Sequence, residues 1–259
     1  MGEIVKANHW LVHGHCPERR LRLFCFSHAG GDASAFHAWQ AGLAPGVQVC
    51  AVRLPGRGSR FCEAPYTSLS AAVPDIAEQL VADRSTPFWL LGHSMGALLA
   101  YEVARHLAAC GMPQPQGLFV SGCDAPTRVR PRRHRSTMDD DALIEMLRTY
   151  NGVPAEVLQH RELMKLMLPT IRADFAMVET YTHADGPRLS MPIEVLAGTA
   201  DPLVDSAGVA EWADTTSDAC HVHRFEGDHF FINSRREEVI GLVRRHLLST
   251  VRCLEPIEA

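Results

Sequence analysis

Six short apolar runs, each about the length of a β-strand, are spread along the chain. They lie at residues 21–26, 47–54, 88–91, 118–120, 193–196 and 220–225. Four segments between or after these runs have the spacing of amphipathic helices, at residues 33–43, 70–83, 97–110 and 240–248. Strands that alternate with helices predict an α/β fold with a mostly parallel sheet covered by helices on both faces. We expect one domain over residues 1–259, with residues 1–20 as a polar lead-in.

Residues 125–187 interrupt this alternation. They contain no good strand, but they have helix-like segments at residues 140–149 and 162–181. Helices inserted between two core strands usually lie over the sheet edge at which an active site opens, so we interpret this stretch as a lid. The alternative is an extra pair of helices with a structural role only.

Composition and charge narrow the class of protein. The chain has 259 residues, of which 46% are hydrophobic and 21% are charged, and this is enough apolar material for one sizeable core. A formal net charge of −5 argues against a general nucleic-acid binder, which needs a basic face. No apolar run approaches the roughly 18 residues of a membrane-spanning helix, and the first residues lack the pattern of a secretory signal.

The cysteines indicate a reducing compartment. None of the eight forms a C-x-x-C pair, and Cys25, Cys50 and Cys123 lie in or beside strand-like runs. A free thiol in such a place behaves as a small apolar side chain. We therefore expect reduced thiols in a cytoplasmic protein without a membrane segment. Nothing in the sequence points to an obligate interface, so we also expect a monomer.

The strongest chemical signal is the motif at residues 92–96, Gly-His-Ser-Met-Gly. It follows a predicted strand and precedes a predicted helix, which is the context of a nucleophile elbow. A serine at the tip of this sharp turn is held out towards a substrate, and Gly92 and Gly96 avoid collisions with neighbouring elements. The start of the helix also directs backbone N–H groups at developing negative charge. We therefore predict Ser94 as a nucleophile.

A serine hydroxyl needs a neighbouring base, and in the order typical of this elbow the acid and then the histidine follow the serine. His229 fits this order because it comes after the last predicted strand and before the final helix. His221 and His223 compete for the role. They lie two apart within that strand and so face one side of the sheet, where we expect them to be packed or solvated.

Two aspartates are candidates for the acid that orients the base. Asp201 follows the predicted strand at residues 193–196 by a short loop, and Asp124 follows the strand at 118–120 by a similar one. Both positions lie beyond the carboxyl end of a core strand, so these positions alone leave the choice open. The acid would fix the tautomer of His229 and stabilise its protonated form.

An oxyanion hole needs two N–H donors, one from the residue after the nucleophile and one from the loop after an early strand. Met95 would supply the first. The segment at residues 28–31, His-Ala-Gly-Gly, lies in the expected place for the second, and its glycines let the backbone turn towards the site. We predict Ala29 as that donor.

Four motifs together resemble the type II thioesterases of polyketide and non-ribosomal peptide synthesis, which have the α/β-hydrolase fold. They are His-Ala-Gly-Gly at 28–31, Leu-Pro-Gly-Arg-Gly at 54–58, Gly-His-Ser-Met-Gly-Ala at 92–97 and Gly-Asp-His-Phe-Phe at 227–231. The resemblance covers nearly the whole chain, and generic esterases have no reason to carry the Gly56-Arg57 turn. The sequence departs from the family pattern at Ser27, Arg53 and Asp228, none of which is a catalytic group.

The resemblance implies a catalytic set of Ser94, Asp201, His229, Ala29 and Met95. It is also the reason to prefer Asp201 to Asp124. It further implies a mobile helical lid at residues 125–187. The substrate would be an acyl thioester on the phosphopantetheine arm of an acyl or peptidyl carrier protein, and such enzymes remove wrongly loaded or stalled acyl groups.

Thioester hydrolysis by these residues needs no metal and no organic cofactor, because a thiolate, whose conjugate thiol has a pKa near ~8.5, leaves easily. His9, His13, His15 and Cys16 carry groups that bind metals, but they precede any regular segment, and a dedicated site needs ligands on rigid elements. Two other functions stay open. One is a small-molecule esterase or lipase on the same fold, which would prefer free oxygen esters. The other is a non-catalytic interaction protein on a hydrolase scaffold, against which the intact elbow, acid and base argue.

A concentration of positive charge lies at the start of the predicted lid. Five of the eight residues at 128–135 are arginines, in an otherwise acidic chain: Arg128, Arg130, Arg132, Arg133 and Arg135. One interpretation is a solvated linker that its own charge keeps off the core. The other is that these arginines meet the acidic helix of a carrier protein as its arm enters beneath the lid.

Overall fold

Seven strands form one sheet in a computed structural model that describes residues 9–43, 45–128, 134–150, 152–153 and 155–253. The strands are β1 (Leu11–His13), β2 (Leu21–Phe26), β3 (Val47–Val52), β4 (Phe88–His93), β5 (Leu118–Ser121), β6 (Ile193–Gly198) and β7 (Cys220–Phe225). Their order across the sheet is β1-β3-β2-β4-β5-β6-β7, and only β1 runs antiparallel to its neighbour. The predicted mostly parallel sheet is confirmed.

Strand β1 lies within the stretch for which the sequence predicts only a polar lead-in. It has only three residues at the edge of the sheet, where Leu11 lies opposite Val52. A strand this short has too few alternating positions for a sequence pattern to reveal it. Its pairing with β3 is what defines it.

Nine α-helices connect or cover the strands in the described residues. They are α1 (Trp39–Leu43), α2 (Leu69–Leu80), α3 (Met95–Ala109), α4 (Asp140–Thr149), α5 (Ala155–Gln159), α6 (Arg161–Glu179), α7 (Ser206–Ala210), α8 (Phe231–Ser234) and α9 (Arg236–Cys253). Helix α9 extends well beyond the predicted segment at residues 240–248. No helix in the described part of the chain is both long enough and apolar enough to span a bilayer.

The two faces of the sheet carry two separate apolar clusters. Alternate residues of β2 contribute to each: Phe24 and Phe26 pack on the side of α2 and α3, and Leu23 and Cys25 pack on the side of α1 and α9. This two-sided burial explains why the central strands are apolar at nearly every position. The cysteines that the structure describes are all free thiols.

Helices α4, α5 and α6 lie between β5 and β6, in the stretch that we interpreted as a lid. They have an apolar cluster of their own, whose buried members are Leu143, Leu147, Leu158, Met164, Leu168 and Ile171. We call residues 125–187 the insertion. The insertion is therefore a small folded layer with a core of its own, and α6 also contributes Met177 to the main core beneath it.

Candidate active site

Ser94 lies at the tip of a sharp turn between β4 and α3. Its backbone is in a conformation that a residue with a side chain seldom adopts, with φ 57° and ψ −117°. A Cβ atom at Gly92 would lie 2.0 Å from the carbonyl oxygen of Gly96, and one at Gly96 would lie 2.2 Å from the carbonyl oxygen of Phe26. Both glycines are therefore sterically required, which is the reason that the sequence predicted for them.

His229 and Asp201 lie side by side in the loops that follow β7 and β6. The distance from Nδ1 of His229 to Oδ2 of Asp201 is 2.7 Å, and both side chains are almost fully buried. Parallel strands end at the same edge of the sheet as β4, so these two loops converge near Ser94.

Asp124, the rival acid, has a different environment. Its Oδ1 accepts a hydrogen bond from the backbone N–H of Asp205 at 3.2 Å. Its carboxylate also packs against Gly208, where an added Cβ atom would lie 2.1 Å from the same oxygen. The carboxylate that meets the imidazole of His229 is that of Asp201.

The rival bases lie elsewhere on the sheet. Residues Glu194 and His221 are paired in the register of β6 and β7, and both His221 and His223 contact the carboxylate of Glu194. That side chain is on the sheet face covered by α9, where His246 joins the same group. His221 and His223 thus both contact Glu194. His229, in contrast, lines the same cavity as Ser94.

The predicted oxyanion loop is held by a residue that the sequence analysis missed. Asp174 of α6 accepts the backbone N–H of Gly30 at 2.7 Å, and it also forms a two-pronged ion pair with Arg57 at 2.6 and 2.9 Å. Arg57 in turn donates to the carbonyl oxygen of Gly31 at 2.7 Å. The amides of Gly30 and Gly31 are thus engaged by Asp174 and by the carbonyl oxygen of His28, and Ala29 stays the predicted donor from this loop.

A signal for Asp174 exists in the sequence. It lies three residues after Ile171 and three before Met177, on the apolar stripe of α6. An acid at such a position must find a buried partner. The Gly56-Arg57 turn, which the resemblance singled out, supplies it.

Burial and charge set the protonation of the groups around the site. Burial raises the pKa of Asp174, and the charge of Arg57 opposes this effect. Burial, reinforced by the nearby His229, lowers the pKa of His28 to about 4 and lowers the pKa of His93 well below its usual range. These two rings, which pack within 6.0 Å of each other, are therefore neutral at pH 7.

A cavity of about 880 Å³ opens above Ser94, between the sheet edge and the insertion. Apolar and polar groups share its wall, among them Leu98, Phe175, Val178, Leu203, Val204, Glu179, Tyr181, His183 and Asp185. Several of these belong to the last turns of α6 and the segment after it. The insertion therefore forms one side of the space in which a substrate of Ser94 would lie.

The arginine-rich segment is described only at its ends. Arg128 pairs with Asp205 and Glu211 at 2.6 and 2.9 Å. Arg135 lies over the rings of Tyr150 and Phe175. Arg130, Arg132 and Arg133 lie outside the described residues. The two arginines that can be placed thus have partners within the chain.

A parallel sheet with an elbow serine and a histidine–aspartate pair beyond later strands defines an α/β-hydrolase. The chain belongs to the Thioesterase domain family, which matches residues 21–247.

Two curated relatives illustrate the likeness. Thioesterase PikA5 of Streptomyces venezuelae is 36% identical, over 93% of this chain and 86% of its own length. Linear gramicidin dehydrogenase LgrE of Brevibacillus parabrevis is 34% identical, over 95% of both chains. The latter name describes another activity, but this chain has no G-x-G-x-x-G fingerprint of a dinucleotide site.

Among solved structures, the type II thioesterase BorB from the borrelidin biosynthetic cluster is similar, with a TM-score of 0.85 and 34% identity. The match covers 92% of this chain and 97% of BorB. The chain therefore has both the fold and the family membership of a thioesterase, as the sequence motifs predicted.

Proposed function

We propose that this protein is a type II thioesterase that hydrolyses acyl thioesters on the phosphopantetheine arm of acyl or peptidyl carrier proteins, in polyketide or non-ribosomal peptide synthesis. One observation carries the proposal: His229, which is paired with Asp201 at 2.7 Å, and the elbow Ser94 line the same cavity of about 880 Å³. Membership of the thioesterase family indicates that the bond cleaved is the thioester bond of the substrate.

In the first half of the reaction Ser94 attacks the thioester carbonyl. Asp201 holds Nδ1 of His229, so Nε2 is the nitrogen that takes the serine proton. The amides of Ala29 and Met95 stabilise the oxyanion of the tetrahedral intermediate. The carbon–sulfur bond then breaks, and the leaving thiolate of the arm takes the proton from His229.

In the second half a water molecule releases the acyl group. His229 removes a proton from the water as its oxygen attacks the ester carbonyl of acyl-Ser94. The carbon–oxygen bond to Ser94 breaks, and the proton returns from His229 to the serine oxygen. The products are a free acid and the regenerated enzyme, and no step needs a metal or an organic cofactor.

The insertion would act as a lid over this site. Its helices share an apolar cluster of their own, and α6 forms one wall of the cavity. A volume of about 880 Å³ lies within the usual range for small-molecule sites, about 300–1,000 Å³. We propose that an acyl chain with part of the arm occupies it, while the carrier protein docks outside as the partner of a monomeric enzyme.

The test is a panel of acyl groups, each presented on a carrier protein, on coenzyme A and as a simple oxygen ester. We expect kcat/KM to be at least about tenfold higher on the carrier than on coenzyme A, since protein contacts add to encounter and binding. Ser94→Ala should lower hydrolysis of all thioesters by about 10⁴-fold or more.

Other outcomes identify the alternatives. A preference for oxygen esters would make the protein a small-molecule esterase. Failure of Ser94 to react with a fluorophosphonate probe, with no hydrolysis of any substrate, would indicate a non-catalytic scaffold.

A further inference from the structure

A carboxylate is buried in an apolar layer on the side of the sheet away from α2 and α3. Glu194 of β6 is only 2% exposed, on the same face as Leu196 and close to α9. Burial of a charged group among apolar side chains is costly unless a partner compensates for it. An apolar residue at this position would stabilise the core more than Glu194 does. The presence of a carboxylate here therefore indicates a specific role for it.

The partners of Glu194 are histidines from two other elements. Nε2 of His223, on β7, lies 2.6 Å from one carboxylate oxygen, and Nδ1 of His246, on α9, lies 3.3 Å from the other. Among the described residues, each ion-pair partner of Glu194 is a histidine, which has a full charge only when protonated. The site therefore combines one buried carboxylate with two imidazole rings, which are groups that bind a metal ion through the atoms that release their protons.

We propose that Glu194, His223 and His246 form a binding site for one divalent transition-metal ion of the zinc class. Two imidazoles and a carboxylate are a donor set that suits zinc and its neighbours. The cation would supply a permanent positive charge next to the buried carboxylate. No other group of three such ligands lies this close together in the part of the chain that the structure describes, and His9, His13, His15 and Cys16 do not form one.

The geometry fits a metal of this size. With bonds of 2.0–2.1 Å, ligand atoms around a tetrahedral zinc ion lie about 3.3 Å apart. The three ligand atoms here lie within 4.8 Å of one another, so small side-chain movements suffice. The ligands come from two adjacent strands and a long helix, which are rigid supports. The exposed His221, whose Nδ1 lies 3.2 Å from Oε1 of Glu194, or a water molecule would complete the coordination.

The ion would serve the fold rather than the hydrolysis. Glu194 lies four residues before the carboxyl end of β6, or about 13 Å along the strand, whereas Asp201 lies beyond that end. Coordination would join α9 to the edge strand β7, which has neighbours on one side only. We therefore expect the metal to stabilise the C-terminal helix on the sheet.

The experiment is a titration of untagged, EDTA-treated protein with Zn²⁺ at pH 7.5, followed by calorimetry and by thermal unfolding. We expect one ion per chain and a higher Tm with Zn²⁺ than with Mg²⁺. Glu194→Gln, His223→Gln and His246→Gln should each weaken Zn²⁺ binding by at least about 100-fold, since each removes a direct ligand.

His229→Ala is the matched control, because His229 also pairs with a carboxylate but lies in the other site. It should bind Zn²⁺ as the unaltered protein does. The proposal is overturned if the unaltered protein takes up no stoichiometric Zn²⁺, which would make the cluster a protonation-dependent ion pair. It is also overturned if the folded His223 and His246 variants keep full affinity, or if His229→Ala alone loses it.

Discussion

The carboxyl edge of the sheet and the insertion above it differ in what holds their residues in place. At the edge, Ser94 is constrained by backbone contacts so close that Gly92 and Gly96 admit no side chain. In the insertion, α4, α5 and α6 pack on a small apolar cluster of their own, and polar contacts such as that of Thr170 with Gly56 join them to the body.

This difference is what we expect of a site that combines a rigid nucleophile, the role that we propose for Ser94, with the lid that we propose for the insertion. The Arg57–Asp174 pair is a buried link between the two regions, and Asp174 also accepts the Gly30 amide of the oxyanion loop. A displacement of α6 would therefore change the position of the loop that we expect to stabilise the oxyanion. Each of the following changes acts on one region or on the link.

The largest effect is expected at the sheet edge. Asp201→Asn should lower kcat for thioester hydrolysis by about 10⁴-fold, because the amide favours the wrong tautomer of His229. Asp124→Asn should change kcat by less than about tenfold, since asparagine can still accept the Asp205 N–H. Steady-state kinetics on an acyl-pantetheine substrate compares the two. The reverse ranking would transfer the acid role to Asp124.

An intermediate effect is expected at the link. Asp174→Asn leaves the buried Arg57 without a charged partner, and this should lower the free energy of unfolding by about 3 kcal/mol. It should also lower kcat about tenfold with a smaller change in KM, because the loop that carries Ala29 loses its support. Urea unfolding and steady-state kinetics measure the two effects.

Arg172→Gln is the control on the same helix. Its pair with Asp140 is more exposed, so we expect a loss of no more than about 1 kcal/mol and an unchanged kcat. If Asp174→Asn is destabilised but keeps its kcat, Asp174 supports the fold without positioning the oxyanion loop.

The smallest effect is expected at the rim of the insertion. Replacing Arg130, Arg132 and Arg133 together by glutamine should raise KM for an acyl-carrier protein about threefold at low salt, and less at high salt. Hydrolysis of the same acyl group on a pantetheine mimic should not change. Equal losses on both substrates would assign these arginines to the lid or the fold, and no loss on either would support a solvated linker.

A single sequence is enough to predict the features that depend on local backbone geometry and local burial. The elbow at residues 92–96 was readable because steric requirements act over five consecutive positions. The central strands were readable because burial on both faces leaves few polar residues in them. His229 was readable from its place after the last strand. In each case the physical cause lies within a few residues of its effect.

The tertiary structure decided the pairings between distant residues. Asp201 and Asp124 occupy equivalent places beyond predicted strands, so apart from the family resemblance it is the 2.7 Å contact with His229 that distinguishes them. Asp174 lies 117 residues from Arg57, so their ion pair leaves no motif. The approach of His246 to Glu194 likewise depends on how α9 packs on the sheet. Such contacts depend on where the helices and strands pack in space. No local pattern in a single sequence shows which distant residues will come into contact.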